Sequence, residues 1–96
     1  MVLRLHAMMQ TSGDVAPITY SIVQWLKQHP GKSFTIKDIP GIDRYGDWHR
    51  TMWRLRRWSL IKVTNKTPRN INQYDGDELL RAYSEWEQTH DINEYI

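Results

Sequence analysis

The chain has 96 residues, a formal net charge of +2, a pI near 9.0 and no cysteine. That length suits one domain, taken as residues 1–96, and the missing thiols exclude disulfides, thiolate-held zinc, iron-sulfur clusters and cysteine nucleophiles. The apolar start at residues 1–9 is too short, and too interrupted by Arg4 and His6, for a signal peptide; no stretch of about 18 apolar residues follows. A cytoplasmic protein with no membrane association is therefore expected.

The first element is a helix opening near Asp14, a good N-cap, with Pro17 in its first turn. Ile18, Ile22 and Leu26 recur at helical spacing until Pro30-Gly31 ends it. Ser33-Phe34 suits a short extended stretch. Thr35-Ile36-Lys37-Asp38 has the form of a capping box, predicting a very short helix over 36–39 that Pro40-Gly41 stops.

The next helix is expected to start at Asp43 or Asp47 and run to Trp58. Trp48, Met52 and Leu55 form its inner face with Thr51 beside them. His49, Arg50, Trp53, Arg54 and Arg57 then fall on the opposite or flanking surface. Residues 60–64 and 71–74 alternate in the manner of strands, with a turn containing Pro68 between them. A closing amphipathic helix over 77–90 places Leu79, Leu80, Tyr83, Trp86 and His90 at helical spacing.

Charge is strongly segregated along the chain. Over 44–72, eight basic residues (Arg44, Arg50, Arg54, Arg56, Arg57, Lys62, Lys66, Arg69) face one acid, Asp47, a local +7. Over 73–96, seven acids face Arg81 alone, a local −6. A polyanion is drawn to the first segment and repelled by the second, so contact with one would be one-sided.

The order helix, short strand, short helix, turn, helix, hairpin, together with Phe34 to Ile39 and the phrase Leu55-Arg56-Arg57-Trp58-Ser59-Leu60-Ile61, resembles the winged helix-turn-helix superfamily over residues 17–75. It departs at Ser59, where that superfamily usually has glycine. The resemblance implies a mainly α, α+β domain: a three-helix core with a hairpin wing over about 14–75, then the C-terminal helix. It further implies a regulator that binds double-stranded DNA, nucleoid-associated, with a recognition helix at 47–58 in the major groove and a wing at 65–70 on the backbone or minor groove. The DNA-binding candidates are Thr35, Lys37, Arg44, His49, Arg50, Trp53, Arg54, Arg57, Lys66 and Arg69. Arg50 is placed nearest the bases, Arg57 and Arg44 on the backbone, and Lys66 and Arg69 beside the stiff Thr67-Pro68 tip.

Other readings accompany these. Trp48 and Trp58 suit the core or its edge. Trp53 can stack on sugar, cap the core or enter a partner, the last two slightly ahead of DNA. The histidines at 6, 29, 49 and 90 lack metal-ligand spacing, and Asp75-Gly76-Asp77-Glu78 reads as a helix-opening acid cluster. No phosphate cradle or catalytic triad is visible, so no enzyme, cofactor or metal is expected. Segments 77–90 and 2–9 can serve a homodimer or simply cover the core. The alternatives to a regulator are a module that docks on an acidic protein partner, or a replication or RNA-associated nucleic-acid binder.

Overall fold

In the computed structural model, which describes Leu5, Met9, residues 15–91 and Asn93, helix α1 spans Val15–Gln28. Its Ile18, Ile22, Val23 and Leu26 are buried, as the helical spacing requires. Asp14, the expected cap, lies outside the described residues. Gly31, at φ 75°, turns the chain after α1, a backbone state that glycine adopts without steric cost.

The capping box forms as the sequence predicts. The Thr35 hydroxyl accepts from the Lys37 amide at 3.2 Å, and the Asp38 carboxylate accepts from the Thr35 amide at 2.8 Å. The element it opens is a single 3-10 turn over Ile36–Asp38, shorter than expected. Gly41 follows at φ 80°.

Helix α2 spans Tyr45–Arg57 and buries Trp48, Thr51, Met52 and Leu55. Neither Asp43 nor Asp47 caps it. Arg44 occupies the N-cap with no side-chain bond, and Asp47 sits inside the first turn, where a carboxylate meets the positive end of the helix dipole. Thr51 is accommodated in the core because its hydroxyl donates back to the Asp47 carbonyl at 2.8 Å.

The end of α2 is a Schellman motif. The Ser59 amide donates to the Arg56 carbonyl at 3.0 Å and the Leu60 amide to the Leu55 carbonyl at 2.9 Å, while Leu55 and Leu60 are both fully buried. This closure puts Ser59 at φ 59°, in the left-handed region that costs an L-residue about 1 kcal/mol. Ser59→Gly is therefore expected to raise stability by about 1 kcal/mol, or about 4–8 °C in Tm. A thermal melt with an unchanged or lowered midpoint would count against strain at Ser59.

Strands β1 (Lys62–Lys66) and β2 (Asn72–Asp75) pair antiparallel, Val63 opposite Tyr74 and Lys66 opposite Asn72, with a bulge between Val63 and Asn65. Pairing begins two residues later than expected, because Leu60 and Ile61 are buried in the core. At the tip the Asn70 amide donates to the Thr67 carbonyl at 2.9 Å, the Thr67 amide donates to Ile71 at 2.8 Å, and Asn70 takes φ 64°. This is a tight turn closed by a left-handed residue, a role asparagine tolerates. Phe34 bridges Tyr74 in both directions, at 3.0 and 2.9 Å, tying the hairpin to the connection after α1.

Helix α3 spans Asp77–Trp86, four residues short of the expected end at His90. Its first turn carries Asp77 and Glu78 and its last turn no base, so the dipole favours the start and not the continuation. Leu79, Ala82, Tyr83 and Trp86 are buried. Burial, with the Glu87 charge nearby, pushes the Tyr83 phenol up to about 12.

The whole is a small α+β domain: three helices and a two-stranded antiparallel hairpin among the described residues. Leu5 and Met9 are buried in the same core as Ile22, Phe34, Leu55, Leu79 and Trp86. Among the described residues no helix is long and apolar enough to cross a membrane.

Candidate nucleic-acid interface

Burying Trp48, Thr51, Met52 and Leu55 leaves the other side of α2 to water. Tyr45, His49, Trp53 and Arg57 follow one another at four-residue intervals, which places them along a single ridge. All four are exposed; Tyr45 is 70% and Trp53 52% accessible. Their rings and charges are in contact: Tyr45 stacks with His49 at 6.2 Å, and the Arg57 guanidinium lies 5.4 Å from the Trp53 ring centre.

Trp53 therefore does not cap the core. Trp48 does belong to the interior, edge-on to Phe34 at 6.3 Å, whereas Trp58 lies at the exposed end of α2 with 36% accessibility.

Arg50 and Arg54 follow the adjacent flank. The Arg50 guanidinium donates to Asp47 at 3.1 Å, an i,i+3 pair in which Arg50 remains largely in water. An exposed pair of this kind is worth only about 0.2–1 kcal/mol, so Asp47 orients Arg50 without holding it from a stronger acceptor. Arg54 is half-buried, with its Nε out of solvent and without a hydrogen-bond partner.

On the other flank Arg56 shares a groove with Tyr45, His49, Trp53, Asn72 and Tyr74. A second groove joins Tyr45 and Trp48 to Asn70, Ile71 and Asn72. The hairpin thus runs beside α2, and the surface passes from helix to strand without interruption. Lys66 and Arg69 are exposed at the hairpin end, as are Lys37 on the 3-10 turn and Arg44 at the start of α2. Thr35 is placed differently: it is 8% accessible and its hydroxyl is engaged in the capping box.

Acidic residues border this surface: besides Asp47 in α2, Asp75, Asp77 and Glu78 line a groove with Arg56. Asp77 and Glu78 open α3, Glu78 pairs with Arg81 at 2.6 Å, and Glu87 pairs with Lys27 of α1 at 3.2 Å. His29 and His90 each stack on the tryptophan four residues earlier, at 4.2 and 5.1 Å, with Nδ1 against that residue's carbonyl. Among the described residues no group of three or more His, Asp or Glu is arranged to hold a metal ion. His6 lies outside the described residues.

No family model, curated protein or solved structure matches the chain.

Two residues of this surface, Tyr45 and Arg56, are not among the sequence-based DNA-binding candidates. Tyr45 was detectable by stepping back four residues from His49, as those steps define one ridge. Arg56 was submerged in the run Arg54-x-Arg56-Arg57, where the helix turns it toward the hairpin and away from its neighbours.

Proposed function

We propose that the chain is a winged helix-turn-helix protein that binds double-stranded DNA in a sequence-specific manner and regulates transcription. In this reading α2 is the recognition helix in the major groove, and the hairpin is the wing, its Lys66 and Arg69 on the backbone or minor groove. The observation that carries it is the composition of one continuous surface. Arg50, Arg56 and Arg57 are exposed on α2 with half-buried Arg54 among them, and Lys66 and Arg69 add exposed cations at the hairpin end; the one acid of α2, Asp47, is paired to Arg50, and Asp75, Asp77 and Glu78 border the surface beyond Arg56. Arginine forks pair with guanine edges or phosphate in two-point fashion, and charge of one sign on one face orients the polyanion.

The test is a binding titration of duplex DNA over a salt series. Contacts to about six to eight phosphates give a slope of log K against log salt of about −5 to −7. Arg50→Ala is expected to cost about 1–3 kcal/mol and to relax sequence preference, while Arg69→Ala weakens all sequences alike. A flat salt response would sink the reading and favour an acidic protein partner, for which the exposed Tyr45 and Trp53 are suitable anchors. A homodimer, which symmetric operators require, has little apolar support from α3: Leu79, Ala82, Tyr83 and Trp86 are buried within the chain's own core, together with Leu5 and Met9 of the 2–9 segment.

A further inference from the structure

The ridge on α2 contains more than a DNA-reading helix needs. In a duplex the flat faces of the bases are covered by their neighbours, and a groove shows a protein only edges, sugars and phosphates. Arg50 and Arg54 suit those targets. Tyr45, His49 and Trp53 are exposed aromatic rings instead, and exposed rings on a cationic surface match bases that have left the stack.

Three observations narrow the occupant. The rings climb the helix in four-residue steps over about 12 Å from Tyr45 to Trp53, so they form a track rather than a point. The Tyr45 and His49 ring centres stand 6.2 Å apart, wider than the roughly 3.4 Å rise between stacked bases of a strand, so bases resting on successive rings must be drawn apart. Cations accompany the track: Arg57 lies over Trp53, Arg56 lines the same groove, and Asp47, the one acid within α2, is already paired to Arg50. A protein partner would have to be strongly acidic to enter here. An unpaired strand supplies both the flat faces and the negative charge.

We infer that the Tyr45, His49 and Trp53 ridge takes unpaired bases, so that the nucleic acid bound most tightly is a duplex carrying a short single-stranded extension. The paired part meets the Arg50 and Arg54 flank, and two or three unpaired nucleotides follow the rings on the side toward the hairpin. The inference rests on the nucleic-acid reading above.

The experiment compares, by fluorescence anisotropy, one labelled duplex with blunt ends and the same duplex with a short oligothymidine tail at either end. The tailed form is expected to bind at least about tenfold more tightly, since each stacked base adds appreciably to affinity. Trp53→Ala should bring that ratio close to one, and Trp53→Phe, which keeps a ring, should preserve most of it. Should Trp53→Ala bind neither probe, Tyr45→Ala at the other end of the ridge should lower the ratio. Blunt and tailed duplexes bound equally by the unaltered protein, or a ratio that survives Trp53→Ala or Tyr45→Ala, would overturn the inference and leave duplex binding intact. Failure to bind either probe would overturn the nucleic-acid reading with it.

Discussion

Arg56→Glu combined with Arg57→Glu is expected to lower duplex affinity at least about 100-fold at moderate salt while shifting Tm by no more than a few degrees. Both side chains are exposed. The double variant removes two cations and adds two anions at the C-terminal end of α2, within the proposed contact surface, so phosphates that were attracted are repelled. The only described interaction the change breaks within the fold is the contact of Arg57 with Trp53, worth about 0.5–1 kcal/mol at an exposed site. Arg54 is a poorer choice, because its buried Nε would confuse a loss of binding with a loss of packing.

A matched control separates local charge from net charge. Lys27→Glu makes the same change of charge as Arg57→Glu alone, but at a residue paired with Glu87 between α1 and the end of α3; Arg81 is unsuitable because it lines a groove with Arg56. Charges farther than about 8 Å are largely screened at physiological ionic strength, so Lys27→Glu is expected to bind duplex within a few-fold of the unaltered protein. Equal losses in Lys27→Glu and Arg57→Glu would show that the α2 surface has no special part, and retained binding in the double variant would remove α2 from the interface.

The inner faces of the helices were legible because the three apolar series repeat at helical spacing and nothing interrupts them. What the sequence concealed arises from contacts between distant residues. Alternation at 60–64 resembles a strand, yet Leu60 and Ile61 alternate because they descend into the core after the Schellman closure, with pairing left to Lys62–Lys66. His90 looks like another helical step beyond Trp86. Its ring does stack on Trp86, but α3 has ended and a turn brings it there. Thr35 was visible both as a cap and as a phosphate contact; its hydroxyl is bonded within the box, the first of these roles.

The outer face of α2 shows the same division. Helical spacing places Trp53 opposite Trp48, Met52 and Leu55, but spacing alone cannot say whether another segment covers it. That depends on where the hairpin lies. The hairpin's β2 adjoins the Tyr45 and Arg56 flank and leaves Trp53 half exposed, which converts an ambiguous aromatic into part of a surface.

Gly76→Ala is expected to destabilise the domain by about 1–3 kcal/mol, lowering Tm by roughly 5–20 °C. Gly76 is buried between β2 and α3. A Cβ built there would stand 2.7 Å from Leu26 Cδ1 and 3.2 Å from Phe34 Cε1, so Leu26 must shift, and it does so within the core: Leu26 is 2% accessible and Phe34 fully buried. Backbone conformation is not the obstacle, since φ is −114°. The cost is overpacking at the point where α1, the hairpin bridge and α3 converge. Gly46 in α2 supplies the contrast: nothing lies near its Cβ position, so Gly46→Ala should gain about 0.5–1 kcal/mol of helix propensity. The cause at Gly76 can be isolated by a double-mutant cycle with Leu26→Ala, which alone should cost about 2–5 kcal/mol. If the methyl group collides with Leu26, the double variant loses less than the sum of the single losses by about 1 kcal/mol or more. Strict additivity in denaturant unfolding would place the damage elsewhere, and an unchanged Gly76→Ala midpoint would mean that this convergence is looser than its distances.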